Sequence, residues 1–143
     1  MMRILVTGAN GMLAKSVIKR LGNEHELICT DATELDITNQ ELVMKKVAEI
    51  KPEYIVNCAA YTAVDKAEDD YELADKINAD GPGNLAMAAK KQGAVLVHIS
   101  TDYVFNGELD VAKAYVEDDE VGPVTVYGKT KLHGEEEVRK NTD

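Results

Sequence analysis

The stretch Arg3–Ala14, R-I-L-V-T-G-A-N-G-M-L-A, constrains the fold more than any other part of the chain. Ile4, Leu5 and Val6 form an apolar run without alternation, which suits a strand covered on both faces, as in a parallel sheet. Gly8 and Gly11 follow at once, and Met12, Leu13, Val17, Ile18 and Leu21 then recur at helical spacing. Strand, glycine turn and helix in that order set the first backbone N–H groups of a helix at the carboxyl end of a central strand. Those donors and the helix dipole favour a phosphate there. Gly8 supplies a positive φ for the tight turn, and Gly11 lets the backbone approach a pyrophosphate closely. Ala14 stands where a third glycine often packs helix on strand, and it is small enough to serve. Glycine spacing alone fits any tight turn; the strand before and the helix after make it specific.

A chain of 143 residues can bury one core, so residues 1–143 are expected to form a single dinucleotide-binding domain. The fold class this predicts is α/β, a Rossmann-like doubly wound parallel sheet. The formal net charge of −10, with no basic stripe, argues against nucleic acid as a partner and against an anionic membrane surface. No apolar run approaches the roughly 18 residues of a membrane span, and no signal peptide is evident, so a cytoplasmic location is expected. Cys29 and Cys58 both lie in apolar runs and read as buried thiols rather than a disulfide or metal pair.

Further along, Glu26–Asp31 reads as a second strand ending in a carboxylate. Asp31 lies 20 residues beyond Gly11, where such folds place an acid to accept hydrogen bonds from ribose hydroxyls. That acid would repel a 2′-phosphate; the plainer reading is a turn cap. Asp36 and Ile37 come next, within reach of an adenine ring. Residues 39–50 carry Leu42, Val43, Val47 and Ile50 on one stripe, a helix capped by Asn39 or Thr38. Glu53–Ala59 is a third strand. Ala59 and Ala60 are small enough to pass close to a flat ligand, and Tyr61 and Thr62 add polar groups at the strand's carboxyl end. The stripe Leu73, Ile77, Leu85, Ala88, Ala89 predicts one kinked helix over 70–92, although Gly81-Pro82-Gly83 interrupts it. Asn78 on that stripe either bonds neighbouring backbone or orders a proton-relay water. Ala94–Ser100 is a fourth strand, with His98 as a core histidine. Neither His25 nor His133 has an acidic or cysteine partner at ligand spacing, so no metal is assigned. A polar loop over 106–123 leads to a last helix, Tyr127–Arg139.

Ser100-Thr101-Asp102-Tyr103 follows the fourth strand at the same carboxyl edge as the glycine turn. On the last helix Tyr127 and Lys131 stand four apart, so their side chains are neighbours on one face. A phenol ordinarily ionises near ~10, and a neighbouring ammonium favours its phenolate, which suits proton exchange with a carbonyl oxygen. Lys131 can also hold a nicotinamide ribose, and the Thr101 hydroxyl can orient a substrate oxygen beside Tyr127.

Taken together these segments resemble the extended branch of the short-chain dehydrogenase/reductase superfamily, and within it the dTDP-4-dehydrorhamnose reductase family. The resemblance is carried by V-T-G-A-N-G-M-L-A, E-L-D-I-T, N-C-A-A-Y-T-A-V-D-K-A-E, I-N-A-D-G-P-G-N-L-A, H-I-S-T-D-Y-V-F-N-G and E-D-D-x-x-x-P-x-x-x-Y-G-K-T-K-L-x-G-E-E, which together span nearly the whole chain. It implies Thr101, Tyr127 and Lys131 as the catalytic trio. It also implies that Gly8, Gly11, Met12, Leu13, Asp31, Asp36, Ile37, Ala59, Ala60, Tyr61 and Lys131 line a cofactor, NADPH or NADH, while Thr101 and Asp102 meet a dTDP-sugar nucleotide. The implied reaction reduces the 4-keto group of dTDP-4-dehydro-L-rhamnose to dTDP-L-rhamnose, for cell-surface polysaccharide. Asp31 favours NADH, whereas the family often accepts NADPH. Magnesium is described with some relatives, but no carboxylate cluster in the sequence demands it. A homodimer is admitted by the resemblance. Competing readings are another extended-branch sugar-nucleotide epimerase or dehydratase, and a non-catalytic dinucleotide-binding regulatory subunit. Family members are longer, with a further strand and a smaller carboxyl-terminal substrate domain that have no counterpart here. The expectation is therefore an incomplete, truncated sheet in the strand order 3-2-1-4, with one side of the fourth strand uncovered and poor activity of this chain alone.

Overall fold

A computed structural model describes residues 1–110 and 112–142. Four strands, β1 (Arg3–Thr7), β2 (Glu26–Thr30), β3 (Tyr54–Asn57) and β4 (Val95–His98), pair in parallel into one sheet. Helices α1 (Met12–Leu21) and α2 (Gln40–Ile50) form the first two crossovers. Short α3 (Val64–Ala67), then α4 (Tyr71–Asp75) and α5 (Gly81–Gln92), joined by a π-helical turn at Lys76–Asp80, lead to β4. A 3₁₀ turn at Asp102–Val104 and the long α6 (Val126–Thr142) complete the fold.

The doubly wound parallel architecture is as expected, but the strand order is β2-β1-β3-β4, which corrects the expected 3-2-1-4. The reason lies in residues 31–38. Asp31 and Asp36 each accept the backbone N–H two residues on, from Thr33 at 2.8 Å and Thr38 at 2.9 Å, so the segment spends its polar groups on local turns. Leu35 and Ile37 are buried from the same segment. Among the described residues no strand is added beyond β2; α2 carries the chain back across β1, and β3 pairs on the free edge of β1. The winding direction thus reverses between β1 and β3, and the crevice outside their carboxyl ends is where open α/β sheets bind ligands.

Pleating sends Leu5 and Ile55 to one face, against Val43 and Val47 of α2 and Leu85 and Ala88 of α5. Ile4, Val6 and Val56 face the other way, onto Ala14 of α1. On that second face Val95 and Val97 of β4 stay 51% and 40% exposed, so the uncovered side of the fourth strand is present as expected.

The helical run from Tyr71 to Gln92 is continuous, and Pro82 sits within it because of the π turn. The Gly81 N–H bonds back to Lys76, one residue further than in an α-helix, and Pro82 falls in the first turn of α5. The Asn78 carbonyl, left without a proline N–H, lies against α6 at Gly134, where a Cβ would overlap it. The extra residue also rotates the buried face. Ala74 before the turn and Asn78 within it point inward, whereas Leu73, expected on the buried stripe, is exposed.

Candidate functional site

Two adjoining hollows open at the carboxyl edge of the sheet. The first, about 480 Å³, runs from the glycine turn past Asp31 to Asp36 and Ile37, with Ile77 of the π turn on its wall. Its shape depends on Gly8, whose φ is +66° and whose missing Cβ would stand 2.6 Å from the Ala59 nitrogen. The loops after β1 and β3 therefore touch, and only glycine fits between them. Gly11 precedes α1 in extended conformation with no side chain capping the helix. The first N–H groups of α1 are thus offered to whatever lies in the crevice. Asp31 accepts from the Thr33 hydroxyl at 2.7 Å and from Asn10 Nδ2 at 2.7 Å. These contacts, the Thr33 hydroxyl first, hold its carboxyl below the usual carboxylate range.

Gly11, Cys58, Ala59 and Ala60 also border the second hollow, about 340 Å³, which continues to Met12, Leu13, Ser100, Tyr127 and Lys131. Both volumes lie in the range of small-molecule sites. Met12 is 88% exposed and Leu13 is exposed as well, so these helix residues serve the hollow rather than the core. Lys131 is only 3% exposed, and its Nζ donates to the Ile99 carbonyl at 2.5 Å. Burial pushes its ammonium down to about 8, against an opposing pull from Glu135. The Tyr127 ring meets Tyr103 edge-on, centroids 5.5 Å apart, and Gly128 lets α6 press on the Tyr103 carbonyl.

Behind the hollows a polar network ties the strand ends together. Asn57 Oδ1 accepts from Thr7 Oγ1 at 2.6 Å and from the Ala59 N–H at 3.1 Å, while its Nδ2 donates to His98 Nδ1 at 3.2 Å. His98 Nε2 is buried without a hydrogen-bond partner among the described residues. Burial first, and the Lys131 charge second, push its ring down to about 4, so it is neutral near pH 7. Asn78 bonds backbone, the first of its two expected roles: it accepts from the Tyr61 N–H at 2.8 Å and donates to the Tyr61 carbonyl at 3.0 Å. Its Nδ2 also lies 3.0 Å from Thr130 Oγ1, which donates in turn to the Tyr127 carbonyl at 2.9 Å.

Of the residues singled out in the sequence, Gly8, Gly11, Asp31, Asp36, Ile37, Ala59 and Ala60 line the first hollow, and Met12, Leu13, Tyr127 and Lys131 the second. Tyr61 turns its hydroxyl to Asp70 at 3.1 Å and borders neither hollow. Thr101 caps the 3₁₀ turn, its Oγ1 3.3 Å from both the Tyr103 N–H and Asp102 Oδ1, and the hollow beside it is lined by Ile99 and Ser100. Asp102 is exposed. Asn10, Thr33, Thr38 and Ser100 are among the polar lining groups not singled out in the sequence as ligand contacts; for Asn10, its place inside a glycine turn was the available signal. Cys29 and Cys58 are free and half-buried, with burial raising both thiols. Among the described residues no cluster of His, Cys, Asp or Glu is arranged to hold a metal, and no helix is long and apolar enough to cross a membrane.

Comparison with known proteins agrees with this geometry. The family model described as "RmlD substrate binding domain" matches residues 2–143. A dTDP-4-dehydrorhamnose reductase of Mycolicibacterium smegmatis is 47% identical over 137 residues, covering 95% of this chain and 41% of the relative. The crystal structure of a dTDP-4-dehydrorhamnose reductase from Clostridium acetobutylicum superposes with a TM-score of 0.94 at 54% identity, over 97% of this chain and 49% of that one. The Bacillus anthracis reductase, solved in complex with NADP, gives 0.95 at 43% identity, over 99% of this chain and 50% of the other. The chain thus spans about half the length of the proteins it matches.

Proposed function

This chain belongs to the RmlD substrate binding domain family, and from that premise we propose that residues 1–143 form the NAD(P)-binding Rossmann domain of a dTDP-4-dehydrorhamnose reductase. The reaction is reduction of the 4-keto group of dTDP-4-dehydro-L-rhamnose to dTDP-L-rhamnose. One observation carries the reading. The hollow at the glycine turn and the hollow at Tyr127 and Lys131 share Gly11, Cys58, Ala59 and Ala60 as a common wall, so one extended ligand can lie across both.

A dinucleotide fits the groups present. The pyrophosphate would lie over Gly8, Gly11 and the start of α1, the adenosine among Asp31, Asp36 and Ile37, and the nicotinamide end beside Met12, Leu13 and Lys131. When bound, its reduced form supplies a hydride to the keto carbon. Tyr127 gives a proton to the keto oxygen, which completes the alcohol. Lys131, fixed at the Ile99 carbonyl, favours the phenolate that remains. Thr101 and Asp102 meet the sugar nucleotide, and a rotation of the Thr101 side chain off Asp102 would present its hydroxyl to the substrate oxygen. Because these two are the only groups assigned to the sugar nucleotide, turnover by this chain alone should be low. The reading places the work in the cytoplasm, among reduced dinucleotides, and admits a homodimer.

Single-turnover oxidation of NADPH or NADH by the keto sugar, followed by nicotinamide absorbance with the chain in excess, tests it. Tyr127→Phe should slow the step about 100-fold or more while leaving dinucleotide affinity within about threefold. Sugar converted without net cofactor oxidation would support an epimerase instead. A Tyr127→Phe chain that reduces the sugar as fast as the original would overturn the assignment.

A further inference from the structure

We infer that Glu135 is a positioning residue for the Lys131 ammonium, holding both its charge and its anchoring carbonyl in place through Ser100. The inference rests on the reading of Tyr127 and Lys131 given above and concerns the same hollow. Glu135 lies one helical turn beyond Lys131 on α6, on the same face. Its Oε1 accepts from Ser100 Oγ at 2.5 Å, and its Oε2 accepts from Arg139 at 2.9 Å. Ser100 immediately follows Ile99, whose carbonyl takes the Lys131 Nζ. The helix therefore grips the segment just past β4 twice within two residues: once by the lysine on the main chain, once by the carboxylate on the serine.

The two grips differ in kind. The Lys131 bond satisfies one of three ammonium protons in a buried setting, which leaves the charge short of partners. Glu135 supplies the nearby opposite charge that offsets part of this cost; its pull on Lys131 is upward, against burial. The other titratable groups about the ammonium give no such help. His98 on β4 is neutral near pH 7, Cys58 after β3 is a thiol held protonated by burial, and Tyr127 is the proton donor itself. Arg139, largely exposed, fixes the far oxygen of Glu135 and leaves the near one to Ser100. Nothing in this arrangement puts Glu135 in the hollow, so it acts through Lys131 and not on substrate.

The test is the titration of Lys131 itself, read from its side-chain ¹³Cε shift in the 143-residue chain and assigned with Lys131→Met. The original chain should be half-ionised near pH 8. Glu135→Gln, which keeps shape and removes charge, should move that midpoint down by roughly half a pH unit or more. Glu135→Asp should recover part of the movement, and Ser100→Ala, which keeps the charge, should shift it less. In parallel, the alkaline fall-off of the reduction rate should begin at a lower pH in Glu135→Gln than in the original chain, with NADPH affinity at pH 7 within about threefold. A midpoint unchanged in Glu135→Gln with the melting temperature preserved would overturn the inference. If that variant does not fold, an unchanged midpoint in both Glu135→Asp and Ser100→Ala does the same. Failure of the original chain to bind NADPH would instead sink the functional reading, and the lysine titration would still be readable.

Discussion

On the Asp31 side the groove is walled by main chain and by two acids, Asp31 and Asp36, that bond chiefly to groups two or three residues on, with Asn10 of the glycine turn added to Asp31. On the Lys131 side it is walled by a buried ammonium bonded to a carbonyl 32 residues away, and behind that wall the His98 imidazole bonds to Asn57, 41 residues away. The first kind of wall is set by local turn geometry and costs the fold little once the turns form. The second keeps a buried ammonium charged near pH 7, which works against stability, beside an imidazole that burial keeps neutral. On the proposed reading, binding and chemistry are separated along one crevice: a shape-determined cradle at one end, an electrostatically expensive ammonium at the other.

Substitution at each end should break in opposite ways. Gly8→Val has the largest expected effect. A side chain at φ +66°, with its Cβ 2.6 Å from the Ala59 nitrogen, must push the two loops apart. Dinucleotide affinity should drop more than about 100-fold, and unfolding free energy by about 2 kcal/mol or more, measured by fluorescence titration and urea melts. Lys131→Met should do the reverse to stability. It abolishes the buried charge, so the melting temperature should hold or rise while the single-turnover rate falls about 100-fold. If this variant were as destabilised as Gly8→Val, the contrast between the two walls would be lost.

His98, behind the Lys131 end of the crevice, makes that end sensitive to pH. Its folded value near 4 lies below the ordinary 6.5, so between those values the unfolded chain binds the extra proton. Stability from this group is complete above pH 6.5 and is lost as pH falls towards 4, about 3 kcal/mol at most. His98→Gln should flatten that part of the stability–pH curve relative to the original chain. The smallest effect belongs to Asp31. Its carboxylate is exposed and already tied to Thr33 and Asn10, so Asp31→Ala should move the NADPH-to-NADH preference towards NADPH by less than about tenfold, read from the two dissociation constants.

The same division decided what the sequence revealed. The glycine turn, Asp31 and the Tyr127–Lys131 spacing were legible because strand, turn and helix patterns are local. Strand order was not: whether residues 31–38 extend the sheet or coil beside it depends on Leu35 and Ile37 finding cover across the sheet. The π turn was legible only as a conflict between Pro82 and an unbroken stripe, since its resolution needs Gly134 on a distant helix. Glu135 was invisible because E-E-E in a helix reads as solvated surface, and its partner Ser100 is 35 residues away.

One dinucleotide should span both hollows. Nuclear Overhauser contacts between bound NADPH and this chain test it most directly. Adenine contacts to the Ile37 methyl groups and nicotinamide contacts to the Tyr127 ring should appear in the same complex. Adenine contacts at Ile37 with the nicotinamide near neither Tyr127 nor Lys131 would contradict it.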